Sequence, residues 1–134
     1  MNIIALLETL VNGLLETEEN FFSNPRDIYA LEKATKATTD AVAAMFMSNV
    51  LSSMDEKIYN CSYREGRYNV QRKDKRTLVS SVGDITFDST YYKRLTDEGG
   101  YVCLLEEMMG LSKHERFTEE AEVMMLTEAL RTSY

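Results

Sequence analysis

The first segment of the chain, residues 2–22, repeats apolar residues every three or four positions with glutamates between them. Leu6, Leu10 and Leu14 form one line of the repeat, and Ile4 and Val11 form a second line beside it. This spacing places the apolar side chains on one broad face of a helix. The pattern therefore predicts an N-terminal helix that docks through this face.

A second helical pattern begins after residues 23–27. Asn24 is a suitable N-cap and Pro25 suits the first helical position, so we expect a long helix from here to about Ile58. Within it, small residues recur at spacings of three and four: Ala34, Ala37, Ala41 and Ala44. Small side chains let another helix approach closely. The alanines therefore predict either packing on the first helix or a homodimer interface.

The apolar period then changes from helical spacing to strict alternation. Residues 75–82 and 85–94 read as two strands joined by a two-residue turn at Gly83-Asp84. This register predicts an apolar face made of Leu78, Val82, Ile85, Phe87 and Tyr91. The opposite face is then hydroxylic near the turn and basic near the far end, where it includes Tyr92 and Arg94.

Shorter elements complete the chain. Residues 101–103 are expected to add a third strand, which a lone hairpin needs for stability. Residues 104–109 suggest a short helical turn ended by Gly110, and Thr118 is expected to cap a last helix that runs to about Arg131.

Together these elements predict an α+β protein. It has N-terminal helices including one long helix, a two- or three-stranded antiparallel β-hairpin or meander, and a C-terminal helix. A length of 134 residues with 44% hydrophobic and 28% charged residues fits one domain. Within it we expect a helical part (1–58), a basic linker leading into the strand (59–76), the hairpin or meander (77–105) and a second helical part (106–134).

Charge is distributed unevenly along the chain. Residues 57–94 hold nine of the 15 Lys and Arg residues and four of the 22 acids, so they carry +5 while the whole chain carries −7. Cations interleaved with tyrosines can neutralise phosphates, and a two-stranded ribbon fits the major groove of DNA. The candidate DNA contacts are Arg64, Arg67, Arg72, Lys73, Lys75, Arg76, Tyr92, Lys93 and Arg94. The alternative is that these cations form ion pairs with the acidic helices.

Signals for chemistry are missing from the sequence. Cys61 and Cys103 are far apart and His114 has no ligand at metal-binding spacing, so we expect reduced cysteines and no metal site. The sequence holds no phosphate-binding loop or catalytic motif, and no apolar run approaches the ~20 residues that span a bilayer. These observations predict a non-catalytic cytoplasmic protein without cofactor or membrane partner.

Several short motifs in the second half of the chain stand in a recognisable order and spacing. They include Val82-Gly83-Asp84-Ile85-Thr86-Phe87, Tyr91-Tyr92-Lys93, Met109-Gly110-Leu111 and Thr118-Glu119-Glu120-Ala121. In these motifs the stretch 55–134 resembles an uncharacterised family of bacterial transposase-like proteins. The first 50 residues share only their helical character with that family.

The resemblance implies a place in mobile-element biology. By analogy the chain is the N-terminal region of a longer protein, in which an RNase H-like domain with acidic metal-binding residues follows. It implies a non-catalytic module that binds or positions double-stranded DNA through the basic hairpin region. The alternative is a helical dimerisation or scaffold module that docks on the downstream domain. The resemblance also implies that the full-length protein is a transposase, with its catalytic residues outside this chain.

Overall fold

The protein combines a helical N-terminal half with a three-stranded antiparallel sheet. The computed structural model describes residues 2–96 and 99–132. In chain order the elements are α1 (Ile3–Ser23), α2 (Ile28–Asn60), a 3₁₀ turn (Ser62–Arg64), β1 (Tyr68–Ser80), β2 (Gly83–Arg94), β3 (Tyr101–Cys103), α3 (Leu104–Met109) and α4 (Glu119–Thr132). The strands lie in the order β1-β2-β3. The predicted α+β class and the third strand are confirmed.

A short connection between α1 and α2 places the helix cap later than predicted. The backbone N–H of Asn24 donates to the carbonyls of Asn20 and Phe21, so Asn24 ends α1. Asp27 caps α2 by accepting the Ala30 N–H at 2.9 Å. The prediction that Asn24 caps the long helix is therefore wrong, because the chain uses this residue to close the preceding helix.

Gly13 is the point where α1 meets Thr38 of α2. A Cβ at Gly13 would lie 2.5 Å from Thr38 Cγ2 and 2.8 Å from Thr38 Oγ1. These separations are well inside normal van der Waals contact, so only glycine fits without a shift. The helix-propensity penalty of about 1 kcal/mol for glycine is the cost of this close approach.

The alanines of α2 do not share one environment. Ala34 lines a cleft between α1 and α2, and Ala44 packs partly against the core beneath the sheet. Ala37 and Ala41 are exposed. Intramolecular packing therefore accounts for Ala34 and Ala44, while a homodimer contact through Ala37 and Ala41 stays a prediction.

The β1–β2 turn lies two residues before the predicted one. Ser80 pairs with Gly83, so residues 81–82 form the turn. Gly83 has a φ of +113°, in the region that favours glycine, and its carbonyl accepts the Ser80 hydroxyl at 2.6 Å. Gly83-Asp84 is thus wrong as the turn. The predicted face survives because an even displacement preserves alternation: Leu78 and Phe87 are buried together.

The predicted basic linker is strand over its second half. Residues 68–74 of β1 pair with residues 89–94 of β2. Regular ladder hydrogen bonds outweigh the weak strand preference of the many charged residues in this segment. The register shifts between Val70 and Arg72, where Gln71 forms a β-bulge that moves Tyr68 onto the face of Tyr92.

The core lies between the sheet, α3 and the C-terminal half of α2. It contains Ile58, Leu78, Ile85, Phe87, Tyr92, Cys103 and Leu105. Tyr92 is 0% exposed. Its predicted place on the outer face is therefore wrong, because Asp55 and Tyr68 cover that face at this end of the sheet.

Side chains of α2 occupy one edge of β2. Alternate backbone N–H groups of the strand donate to helix residues that follow each other at spacings of four and three: Thr86 to Ser48 (3.1 Å), Asp88 to Ser52 (3.0 Å) and Thr90 to Asp55 (3.0 Å). From the first contact to the last, four strand residues advance about 13 Å and seven helix residues about 10.5 Å, so the two rows stay within about 3 Å of each other. The helix thereby replaces a neighbouring strand along this edge.

Candidate nucleic-acid interface

The end of the sheet away from the β1–β2 turn carries a cluster of cations. This basic end consists of Arg64, Arg67, Arg72, Lys73, Lys93 and Arg94. Strand pairing gathers them, because Tyr68 pairs with Arg94 and Asn69 with Lys93. Residues that are 26 and 24 positions apart in sequence become neighbours in this way.

Tyrosine rings position several of these cations. The guanidinium carbon of Arg64 lies 5.0 Å from the Tyr59 ring centroid and 5.6 Å from that of Tyr92. Lys73 Nζ lies 4.3 Å from the same Tyr59 ring. Each such contact stabilises an exposed cation by about 0.5–1 kcal/mol and narrows its range of rotamers. The charges are therefore partly oriented before any ligand arrives.

Two other arginines of the basic end also lie over tyrosine rings. Arg67 is 4.3 Å from the centroid of Tyr63, and Arg72 is 4.7 Å from that of Tyr91. Tyr63 is itself 63% exposed. The basic end thus presents aromatic as well as cationic groups to the solvent.

Arg64 also has a structural role. Its Nε donates to the Tyr59 carbonyl at 2.8 Å and its Nη1 to the Tyr68 carbonyl at 3.2 Å. These bonds join the end of α2 to the start of β1. Its predicted role as a DNA contact is therefore combined with a role in fixing the chain reversal between helix and sheet.

Arg72 and Lys75 form surface ion pairs. Arg72 Nε lies 2.7 Å from Asp74 Oδ2, and Lys75 Nζ lies 3.1 Å from Asp88 Oδ1. The hydrogen bond to Asp74 and its negative charge raise the pKa of Arg72. Exposed pairs of this kind contribute only about 0–1 kcal/mol, so a phosphate can compete for both cations.

Arg76 is enclosed rather than presented. Its Nη1 lies 2.7 Å from Glu106 Oε1, and its side chain is 13% exposed. Its Nη2 donates to the carbonyls of Ser112 and Glu115 at 2.8 and 2.6 Å. The prediction of DNA contact by Arg76 and by Tyr92 conflicts with their burial, since both side chains are used inside the fold.

Apart from Arg64, which donates to two backbone carbonyls, four cations of the basic end form no ion pair within residues 2–96 and 99–132. They are Arg67, Lys73, Lys93 and Arg94. Lys93 lies in the sheet between Asn69 and Tyr101, and all three side chains are exposed. Arg67, Lys73 and Lys93 are exposed and Arg94 is half-buried, so the first three are the unpaired cations most open to a polyanion.

The model of the uncharacterised protein family UPF0236 matches residues 22–134 of this chain. The chain belongs to this family. It is similar to the UPF0236 protein TTE2489 of Caldanaerobacter subterraneus subsp. tengcongensis, with 28% identity over 131 residues, which cover 93% of this chain and 28% of the relative. A second relative from that organism has a name that joins eleven locus designations, TTE0033 to TTE2212. It is 27% identical over 121 residues, which cover 90% of this chain and 26% of the relative.

This UPF0236 chain thus spans about a quarter of the length of the curated relatives that it matches. The family model begins at residue 22, so α1 falls almost wholly outside the matched stretch. No solved structure matches the chain.

A metal-binding cluster and a membrane-spanning helix are both absent from the described part of the chain. Residues 2–96 and 99–132 contain no group of three or more His, Cys, Asp or Glu residues that could hold a metal ion. None of the helices described combines the length and apolarity needed to cross a membrane. Cys61 and Cys103 are unpaired thiols, and burial raises the pKa of Cys103.

Sequence reasoning missed the buried acids that support this site. Asp55 lies four residues after Leu51 and three before Ile58, on the helix face that points into the protein. An acid within an apolar helical repeat is the signal that could have identified it. Glu106, at the start of a short helix with apolar neighbours, offers a weaker version of the same signal.

Because of Tyr92, the stability of the folded protein should depend on pH in the alkaline range. Burial raises its pKa to about 12, and the negative charge of Asp55 contributes. An unfolded tyrosine titrates near 10, so the folded state retains a proton that the unfolded state loses between about pH 10 and pH 12. Stability therefore falls as pH rises through this window.

We expect Tyr92→Phe to lose about 2 kcal/mol less stability than the parent between about pH 9 and pH 11.5, because it cannot ionise. Urea unfolding at a series of pH values measures the difference. Tyr101→Phe, at an exposed position of β3, is the matched control and should follow the parent. Parallel pH profiles for the parent and Tyr92→Phe would contradict the expectation.

Proposed function

We propose that this UPF0236 chain is a non-catalytic DNA-positioning module of a transposase-like protein, and that its basic end contacts duplex DNA. The observation that carries the proposal is the gathering of Arg67, Lys73, Lys93 and Arg94 at one end of the sheet. None of these four forms an ion pair with an acid in the described ranges 2–96 and 99–132. Duplex DNA offers the dense row of phosphates that such a surface fits.

The whole-chain charge of −7 is the main physical objection, and the long helix answers it. α1 meets α2 at Thr38, whereas Tyr59 lies at the basic end. The intervening part of α2 is about 30 Å long at 1.5 Å per residue. The Debye length at physiological salt is about 8 Å, so acids near that contact are largely screened at the basic end. For the acids of α1 and the start of α2, distance therefore removes most of the objection.

The name of one relative adds independent support for the mobile-element part of the proposal. It joins eleven locus designations of a single organism, which is expected when one protein is encoded repeatedly in a genome. Repeated copies are what a self-copying element leaves behind. By analogy, this chain would serve such an element by holding its DNA.

The test is the salt dependence of duplex binding, measured by fluorescence anisotropy with a labelled DNA duplex. The variant Lys73→Gln/Lys93→Gln should bind more weakly, and the slope of log affinity against log salt should fall by about two. The matched control is Lys33→Gln/Lys36→Gln, which has the same net charge but changes α2 near its start. The control should keep the slope of the parent.

Equal slopes for the two double variants would overturn the proposal, because binding would then depend on net charge rather than on the basic end. Absence of duplex binding by the parent at low salt would also overturn it. Circular dichroism should confirm that both variants retain the fold. Exposed positions are used in both cases, so unfolding is not expected.

A second candidate is a scaffold module that docks on the remainder of a longer protein. One observation favours it: a groove of about 650 Å³ between the end of α2 and α3 is lined mainly by apolar side chains, with Met54, Ile58, Leu104 and Met108 among them. Such a groove suits a packed neighbour. In the relatives, about three quarters of the length lies outside the matched stretch and could supply it.

Light scattering and DNA binding together separate the candidates. A monomer with salt-dependent duplex affinity favours the DNA-positioning module. The opposite result would be a dimer that does not bind duplex DNA. If Ala37→Glu/Ala41→Glu converts this dimer to a monomer, the chain is favoured as a dimerisation module.

A further inference from the structure

The outward side of α1 presents a row of apolar residues to solvent. This α1 stripe consists of Ile4, Leu7, Val11 and Leu14, with exposures of 65%, 53%, 50% and 40%. It is distinct from the face that docks on α2, which holds the buried Leu6 and Thr17 and the close approach of Gly13 to Thr38. α1 therefore has two apolar faces, of which α2 covers one.

The spacing of the α1 stripe is that of a helix–helix seam. Its members follow each other at three, four and three positions, the repeat of a coiled-coil interface. Leu15, 58% exposed, widens the stripe along its second half. Scattered exposed hydrophobic residues are normal on protein surfaces, but a continuous row on one helix marks an interaction surface.

The charges beside the α1 stripe indicate which kind of helix could pack on it. α1 carries Glu8, Glu16, Glu18 and Glu19 and has no Lys, Arg or His. At 100° per residue, Glu18 continues the line of the stripe one turn after Leu14, and Glu8 and Glu19 run along its side. A helix that packs on this face meets carboxylates at its flanking positions, where opposite charges are favoured and like charges are disfavoured.

We propose that the α1 stripe binds an amphipathic helix of a partner protein. In that helix, Lys or Arg residues flank the apolar positions. A second copy of this chain is the less favourable occupant, because pairing two α1 helices would place two sets of glutamates together. The inference does not depend on the proposed function. α1 lies almost entirely outside the residues shared with the family model, and its contact with α2 is about 30 Å from the basic end.

The test uses two synthetic peptides of about three heptads that share Leu at the seam positions and differ at the flanking ones. One carries Lys at these positions and the other carries Glu. Both are labelled, and binding to the full chain is followed by fluorescence anisotropy at physiological salt. The parent should bind the Lys peptide at least about tenfold more tightly than the Glu peptide.

Two pairs of variants locate the binding surface. Leu7→Ser/Leu14→Ser should weaken binding of the Lys peptide at least about tenfold. Val123→Ser/Leu126→Ser makes the same kind of change at exposed apolar positions of α4 and should leave binding unchanged. Glu8→Lys/Glu18→Lys should reverse the preference, so that the Glu peptide becomes the better ligand.

Three outcomes would overturn the inference. Equal binding of the Lys peptide by the parent and by Leu7→Ser/Leu14→Ser would show attraction to net charge alone. Absence of binding to either peptide would show that the stripe takes no such helix. The third outcome is that the parent sediments as a dimer and Leu7→Ser/Leu14→Ser sediments as a monomer. The stripe would then bind a second copy of this chain. Hydrogen exchange should confirm that α1 stays docked in the variants, because Leu6 and Gly13 are unchanged.

Discussion

Asp55→Ala is expected to lower the free energy of unfolding by about 3 kcal/mol. Asp55 is 4% exposed and accepts two hydrogen bonds from Thr90, one from the backbone N–H (3.0 Å) and one from the hydroxyl (2.6 Å). Alanine removes both acceptors and leaves buried donors without them. The loss of α2 as a partner for this part of β2 adds to the effect.

Urea unfolding followed by circular dichroism measures the change. Asp55→Asn keeps one carbonyl acceptor, so it should lose about half as much stability. Glu56→Ala, at the exposed neighbouring position of the same helix, is the matched control and should stay within about 0.5 kcal/mol of the parent. Similar stability for Asp55→Ala and Glu56→Ala would show that Thr90 does not depend on Asp55.

The second large effect concerns the buried ion pair that joins β1 to α3. Glu106→Ala should lower the free energy of unfolding by about 3 kcal/mol, because the Arg76 guanidinium would stay enclosed without its counter-charge. The pair is well shielded: the side chains are 13% and 10% exposed, and Nη1 lies 2.7 Å from Oε1. Arg76 also holds the carbonyls of Ser112 and Glu115, which ties residues 112–115 to the sheet.

A double variant tests the physical cause. Arg76→Met/Glu106→Leu removes both charges, so it should be more stable than Glu106→Ala even though it changes more atoms. Glu107→Ala, at the exposed neighbouring position, serves as the control and should have little effect. If the double variant were less stable than Glu106→Ala, the hydrogen bonds of Arg76 to the carbonyls of Ser112 and Glu115 would outweigh the cost of burying its unpaired charge.

Periodicity predicted the elements of this protein well because apolar spacing marks a helix or a strand even where, as in α1, only part of the apolar surface is buried. The repeat of Leu6, Leu10 and Leu14 indicated α1, and the alternation around Phe87 indicated the hairpin. Local cap signals were equally informative at the other end of the chain: Thr118 caps α4 by accepting the Ala121 N–H, and Gly110 ends α3 with a φ of +66°. These features depend on a few neighbouring residues and can be read from them.

Errors arose where a residue had two compatible roles. Asn24 suits both the end of one helix and the start of the next, and Gly83 suits both a turn and the first residue after it. The contacts of Asp27 and Ser80 decide between these roles. Asp27 and Asn24 are equally good N-cap residues, so sequence alone does not choose between them. The β-bulge at Gln71 is a further case, since one unpaired residue changes the face of Tyr68 without altering any local pattern.

The candidate interface was predictable as a set of cations but not as a surface. Charge counting located the segment 57–94, yet it could not separate Arg76, which is buried against Glu106, from Lys93, which is exposed. The burial of Arg76 depends on α3, which contributes Glu106 from 30 positions further along the chain. Cation placement over Tyr59 likewise depends on where a long helix ends relative to the sheet.

The row of acceptors on α2 has a consequence for how this sheet can grow. Ser48, Ser52 and Asp55 occupy the backbone donors of β2 on one side, so an added strand cannot pair there without displacing a helix. On the outer side of β1, Val79 is already paired with the backbone of residues 116–118. Extension of the sheet is therefore left to the part of β1 before Val79 and to the outer edge of β3, which is only three residues long. On β1 the bulge and the many charged side chains between Arg72 and Arg76 disfavour pairing with a further strand, and β3 is too short to offer a long edge, so the architecture resists edge-to-edge aggregation.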